Sequence, residues 1–141
     1  MDIIITLSKE MWHKIVIGDK DVEMRKWFPI THFNPKKHCI YVVLKGTKKI
    51  VGYFNVVSFS GRLLKEPSWL EFGSRLGVTY EWFSKYWGEG RRPMYFIEIG
   101  DCHVFSSHSQ IEVPCAPQKY VNLTDPMKYF IQNNFFNHLN S

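Results

Sequence analysis

The stretch Gly18-Asp19-Lys20-Asp21-Val22-Glu23-Met24-Arg25 is the densest in charge of the 141-residue chain, and apolar residues bracket it on both sides. A lysine, a glutamate and an arginine this close supply the parts of acid–base, nucleophilic or anion-binding chemistry. Lys20 is the candidate base or nucleophile, because an apolar lip and a like-charged neighbour, Arg25, activate an amine. Glu23 would act as a base or fix Lys20, and Arg25 would bind a phosphate or stabilise an oxyanion. Glu23 and Arg25 also read as an ordinary solvated ion pair contributing about 0 to 1 kcal/mol. Both readings stand at this level.

The neighbouring elements must position these groups. Ser8 is the expected N-cap of a helix that Gly18 stops, since glycine takes the left-handed cap conformation without a Cβ penalty. Leu7 and Trp12 occupy the two positions of a hydrophobic staple, and Met11, Trp12, Ile15 and Val16 form a core stripe at helical spacing. From Asp21 to Trp27 the pattern alternates, which puts Val22 and Met24 on one strand face and Glu23, Arg25 and Trp27 on the other.

The order of apolar helix, Gly-x-Lys-x-x-Glu-x-Arg and buried strand resembles the signature of the ASCH domain family, a branch of the PUA-like β-barrels. A strand pair around Ile40 to Phe59, a helix near Tyr80 to Trp87 and a closing strand Met94 to Gly100 extend the resemblance over about residues 3 to 105. The resemblance implies an α+β fold, a PUA-like mixed β-barrel with flanking helices. It also implies a cleft that binds RNA or a nucleotide, or acts as a ribonuclease or an amidohydrolase on N-acetylated cytidine. The amidohydrolase members are matched at Lys20 and Arg25 but carry a threonine where this chain has Glu23. The glutamate they use ahead of the last helix before the closing strand has only a loose counterpart in Glu71. For the ribonuclease members the sequence offers Tyr41 or Tyr53, Lys45, Lys48 or Lys49, and Ser106, Ser107 and Ser109.

Composition sets the outer limits. Hydrophobic residues make up 45% and aromatics 16%, which argues against disorder. A formal charge of +5 favours an anionic partner without requiring one, because the basic residues form no long run. Cys39, Cys102 and Cys115 are widely spaced and in no Cys-x-x-Cys pattern, so reduced thiols are expected, with neither metal nor cofactor. His38 and His103 adjoin cysteines, but strand neighbours point to opposite faces and do not chelate together. With no leader and no apolar stretch of membrane-spanning length, a cytoplasmic protein without a membrane partner is expected. The oligomeric state is not legible.

Along the rest of the chain, Ile3 to Thr6 reads as a buried strand. Asn34-Pro35 with Lys36 and Lys37 forms a loop whose lysines are a solvated tip or a phosphate contact. Cys39 to Leu44, a basic turn, and Ile50 to Phe59 read as a hairpin in which Gly52 marks a bulge or a close approach to the backbone. Ser60 to Pro67 reads as a connection and Trp69 to Leu76 as a turn or two of helix. Thr79 caps a helix ended by Gly88, whose Tyr80, Phe83, Tyr86 and Trp87 cover the barrel, with a ring available to face a ligand. Gly100-Asp101 reads as a turn between Met94 to Ile99 and Cys102 to Phe105. Asp125-Pro126 opens a final helix over about 125–139, within one domain spanning 1–141.

Of the classes considered, binding needs the fewest coincidences. The expected cleft is rimmed by Lys20, Arg25, Lys26, Arg91 and Arg92, with Gly18 and Glu23 beside them and Trp27 or Phe28 to stack on a base. Its partner would be RNA, another single-stranded nucleic acid or a nucleotide-like small molecule. On this reading Lys20→Ala and Arg25→Ala weaken binding and leave stability nearly unchanged.

Overall fold

The computed structural model describes residues 1–114 and 116–123; Cys115 and the expected final helix lie outside them. Strand β1 (Ile3–Leu7) runs through Ser8 into helix α1 (Lys9–Ile17), and β2 (Val22–Arg25) follows. Next come β3 (Cys39–Leu44), β4 (Lys49–Arg62), α2 (Lys65–Phe72), a 3₁₀ turn at Gly73–Arg75, and α3 (Tyr80–Trp87). The chain continues through β5 (Met94–Val104) and two short strands, β6 (Ile111–Glu112) and β7 (Val121–Asn122).

The strands form one mixed sheet in the order β2-β5-β4-β3-β1-β7, with β6 added to β4. Among the described strands only β1 and β3 pair in parallel, with Ile3 opposite Ile40 and Leu7 opposite Leu44. The sheet curls into a half-barrel. Its seam lies between β2 at one edge and β1 with β7 near the other, so the expected barrel is open there.

Strand alternation divides the core. Ile3, Ile5 and Leu7 pack with Trp12 and Ile15 of α1, Phe54 and Ile97. Ile4 packs on the other face with Val43, Ile50, Phe105 and Ile111. A third cluster joins Val22, Met24 and Phe96 to Phe72, Phe83 and Trp87, fastening α2 and α3 to the edge strand β2. No described helix is long and apolar enough to cross a membrane.

The expected caps form. Ser8 Oγ accepts from Met11 N at 3.1 Å, Thr79 Oγ1 accepts from Trp82 N at 3.2 Å, and Gly18 takes φ 87°. The core stripe is narrower than expected, since Val16 is 41% exposed and α1 turns only Trp12 and Ile15 fully inward.

Two other expectations are corrected. Ser60 to Pro67 is no connection, because β4 stays paired with β5 as far as Arg62 opposite Met94, and Pro67 falls in the first turn of α2, where its missing N–H costs nothing. Gly100-Asp101 is no hairpin turn, because the register shift between Phe54 and Val56 absorbs it as a bulge in a continuous β5. At Gly52 both readings hold. The β3/β4 register slips beside it, and a Cβ there would collide with the His103 carbonyl oxygen and meet the Trp12 ring at 2.8 Å.

Candidate functional site

The seam is filled by side chains where a backbone ladder would have closed the barrel. Arg25, on β2, sends Nη1 to Thr6 O at 3.3 Å and Nη2 to Lys119 O at 2.8 Å, tying the edge strand to β1 and to the segment ahead of β7. Glu23, two residues earlier on the same face, receives Arg25 Nη1 at 3.5 Å and the Lys20 ammonium at 3.1 Å. The motif residues Lys20, Glu23 and Arg25 therefore converge.

Lys20 is not a solvated rim cation. It is 3% exposed, and besides Glu23 its Nζ donates to Val22 O at 2.8 Å and Leu76 O at 2.7 Å. Three acceptors satisfy the three N–H bonds of an ammonium. Gly77, at φ 71°, lets the chain close over the Lys20 stem, and Lys14 Nζ holds the Gly77 carbonyl at 2.7 Å. The ammonium thus fixes the Glu23 carboxylate, itself 6% exposed, and joins β2 to the end of the 3₁₀ turn.

Above these charges lies a cleft of about 280 Å³. Its walls are built by Thr6 and Met11 on one side, Leu76, Trp82 and Tyr86 on the other, with Lys45 at the mouth. Trp82 and Tyr86, one helical turn apart on α3, stack at 4.8 Å with 11° between their planes. Burial pushes the Tyr86 phenol up, Arg25 opposes this, and Glu23 adds to it. Lys45 is exposed and has no ion-pair or hydrogen-bond partner for its ammonium among the described residues.

The remaining expected site residues are distributed elsewhere. Gly18 is the α1 cap and lines no part of the cleft. Phe28 lies outside the cleft lining, buried against Phe33 and Phe59 at the edge of a neighbouring hollow. Lys26, Trp27 and Arg92 line that hollow, and Arg91 pairs on the surface with Glu89 at 3.2 Å. Glu71 pairs with Arg62 at 3.1 Å and lies outside the cleft lining. Tyr41 and Tyr53 line a separate hollow beside Lys36 and Lys37. The Ser106 and Ser109 hydroxyls bond each other at 3.0 Å, and Lys48 and Lys49 lie outside the cleft lining. Among the described residues no cluster of His, Cys, Asp or Glu could hold a metal.

Sequence reasoning missed Trp82, while Lys45, one of the three lysines it offered for a ribonuclease site, is the one that lines the cleft. A helical wheel puts Trp82 four residues before Tyr86 on one stripe, a signal the sequence did contain.

Among the described residues, the curled mixed half-barrel with its three helices has the fold of solved ASCH domain structures. The solved structures it resembles include the ASCH protein of Zymomonas mobilis, at 18% identity and TM-score 0.76 over 94% of each chain. A serine-to-alanine variant of that protein gives 17% identity and TM-score 0.78, also over 94% of each chain. Its tyrosine-to-phenylalanine variant gives 17% and 0.76, over 94% of this chain and 96% of that one. At this identity the likeness is one of fold. No family model and no curated protein matches the sequence.

Proposed function

We propose that this chain binds an unpaired RNA base, or a nucleotide-like small molecule, in the seam cleft. The observation that carries the reading is a buried, doubly held carboxylate, Glu23, at the floor of a cleft walled by the stacked Trp82 and Tyr86. A carboxylate so fixed accepts hydrogen bonds from ring N–H and exocyclic amino groups, while an aromatic wall takes a base face. The size agrees, since about 280 Å³ stands near the ~300 Å³ lower end of small-ligand pockets and suits one base, not a duplex.

Hydrolysis of RNA or of N-acetylated cytidine draws less support. Lys20 donates all three of its hydrogens to fixed acceptors, and Glu71 is held on Arg62 outside the cleft.

Anisotropy of a labelled single-stranded RNA, with calorimetry of the four ribonucleosides, tests the reading. Trp82→Ala and Lys45→Ala change exposed side chains and should leave the fold intact. Stacking of one base on a ring is worth about 1 to 3 kcal/mol, so Trp82→Ala should weaken binding roughly 5- to 150-fold. Absence of binding by RNA and by every nucleoside at low salt would reject the proposal.

A further inference from the structure

Beside the seam cleft lies a second hollow of about 240 Å³, lined by Lys26, Trp27, Phe28, Arg92, Tyr95 and Tyr120 among others. Among the described residues no carboxylate lines it. Its cations rest on rings instead: Arg92 lies 4.7 Å and Lys119 3.9 Å from the centroid of Trp27, and Lys26 lies 4.8 Å from that of Tyr86. None of the three has an ion-pair partner among the described residues, whereas Lys14, Arg62, Arg75 and Arg91 each meet an acid. A cation on a ring keeps its charge without a fixed counter-ion, which leaves it open to an anion.

The hollow and the cleft are linked through Tyr86 and the adjacent residues Arg25 and Lys26. Tyr86 walls the cleft and carries Lys26 over its ring. Arg25, in the cleft, precedes Lys26 in the chain and holds the backbone of Lys119, whose ammonium covers Trp27. A strand leaving the cleft past Tyr86 would meet Lys26 first and then the cations flanking Trp27.

We infer that this hollow is a second subsite that holds the phosphodiester next to a cleft-bound base, so that the ligand is a single polynucleotide strand and not a free nucleoside. The inference rests on the reading of the cleft as a base site. It assigns Arg92 and Lys119 a phosphate and makes Trp27 the platform that spaces them. Trp27 is 39% exposed, so a phosphate reaches the cations resting on it from solvent.

The test compares the four ribonucleosides with a labelled RNA hexanucleotide on the full chain, over a range of salt, in wild type, the R92A/K119A double variant and Trp82→Ala. Circular dichroism confirms folding, and Lys119→Ala keeps the backbone carbonyl that Arg25 uses. The expected result is a hexanucleotide bound at least tenfold more tightly than the best nucleoside. The double variant should collapse that ratio towards one and flatten the log–log salt slope by roughly 0.7 to 1.4, at about 0.7 for each phosphate no longer neutralised. A hexanucleotide no tighter than a nucleoside, or a double variant with wild-type affinity and slope, overturns the subsite and leaves the cleft reading standing. Hexanucleotide binding that ignores Trp82→Ala overturns the cleft reading, and the inference with it.

Discussion

Burial of the Lys20 ammonium beside the Glu23 carboxylate removes both charges from water, and their attraction offsets that cost only because the remaining N–H bonds find Val22 O and Leu76 O. Removing one partner strands the other. Lys20→Ala and Glu23→Ala should therefore each lose about 3 to 5 kcal/mol in urea denaturation, which revises the expectation of an unchanged fold for the lysine. The double variant Lys20→Met with Glu23→Leu should lose much less than the sum of the two. A Lys20→Ala protein that unfolds at the wild-type midpoint yet fails to bind RNA would return Lys20 to the ligand. The phenols set a second expectation at this scale. Burial raises Tyr41, Tyr53 and Tyr86 above the ordinary value of 10.0, so the native state keeps protons that the unfolded chain releases. Their contribution is complete below pH 10 and falls as pH rises towards the folded values. The melting temperature should drop above about pH 10 as tyrosinate absorbance appears late in the native protein. A flat melting temperature between about pH 9 and 11 would contradict this.

At the scale of elements, features with local chemistry were legible and those set by distant pairing were not. Ser8, Gly18 and Thr79 announced two helices because a cap is a contact within four residues. The full lengths of β4 and β5 were hidden, because Ser60 and Gly100 look like turn residues until a partner strand occupies them across the sheet. Gly52 carries both kinds of information. Its alanine variant would drive a Cβ into the His103 carbonyl, a backbone atom that cannot step aside, and into Trp12. Gly18→Ala meets nothing within 4 Å and bears only the strain of φ 87°, about 1 to 2 kcal/mol. Gly52→Ala should exceed that clearly in chemical denaturation and shift the Trp12 fluorescence. Equal losses in the two variants would mean that β4 gives way at its bulge and that the close approach is not required.

The whole molecule explains why the cleft itself was only partly legible. Lys20, Glu23 and Arg25 are neighbours in sequence; strand alternation put Glu23 and Arg25 on one face, while Lys20, ahead of β2, meets Glu23 because its ammonium is also held by Val22 O and Leu76 O. The rings that wall the cleft are not the adjacent Trp27 and Phe28. They came from α3, about sixty residues on, because the third core cluster packs α2 and α3 onto the β2 edge and brings Trp82 and Tyr86 across the seam. Opposite them stand the end of β1 and the start of α1, placed by the parallel pairing of β1 with β3, and Lys45 from the turn that follows β3. The seam between β2 and β1 is spanned by Arg25, and by no backbone bridge among the described residues. A ligand wedged there must therefore couple elements that the ladder does not. Saturating RNA should slow amide exchange together at Ser8 to Met11, at Glu23 to Arg25, at Lys45 and along α3, while the centre of β4, already paired on both sides, stays unchanged. Arg25→Ala should speed exchange at the end of β1 and around Lys119 without ligand, since it removes the guanidinium that ties both to β2, and leave the β3/β4 pairing intact. Protection confined to α3 would mean that the ligand rests on the aromatic pair alone and does not enter the seam, and the buried carboxylate would then have to be read as part of the fold.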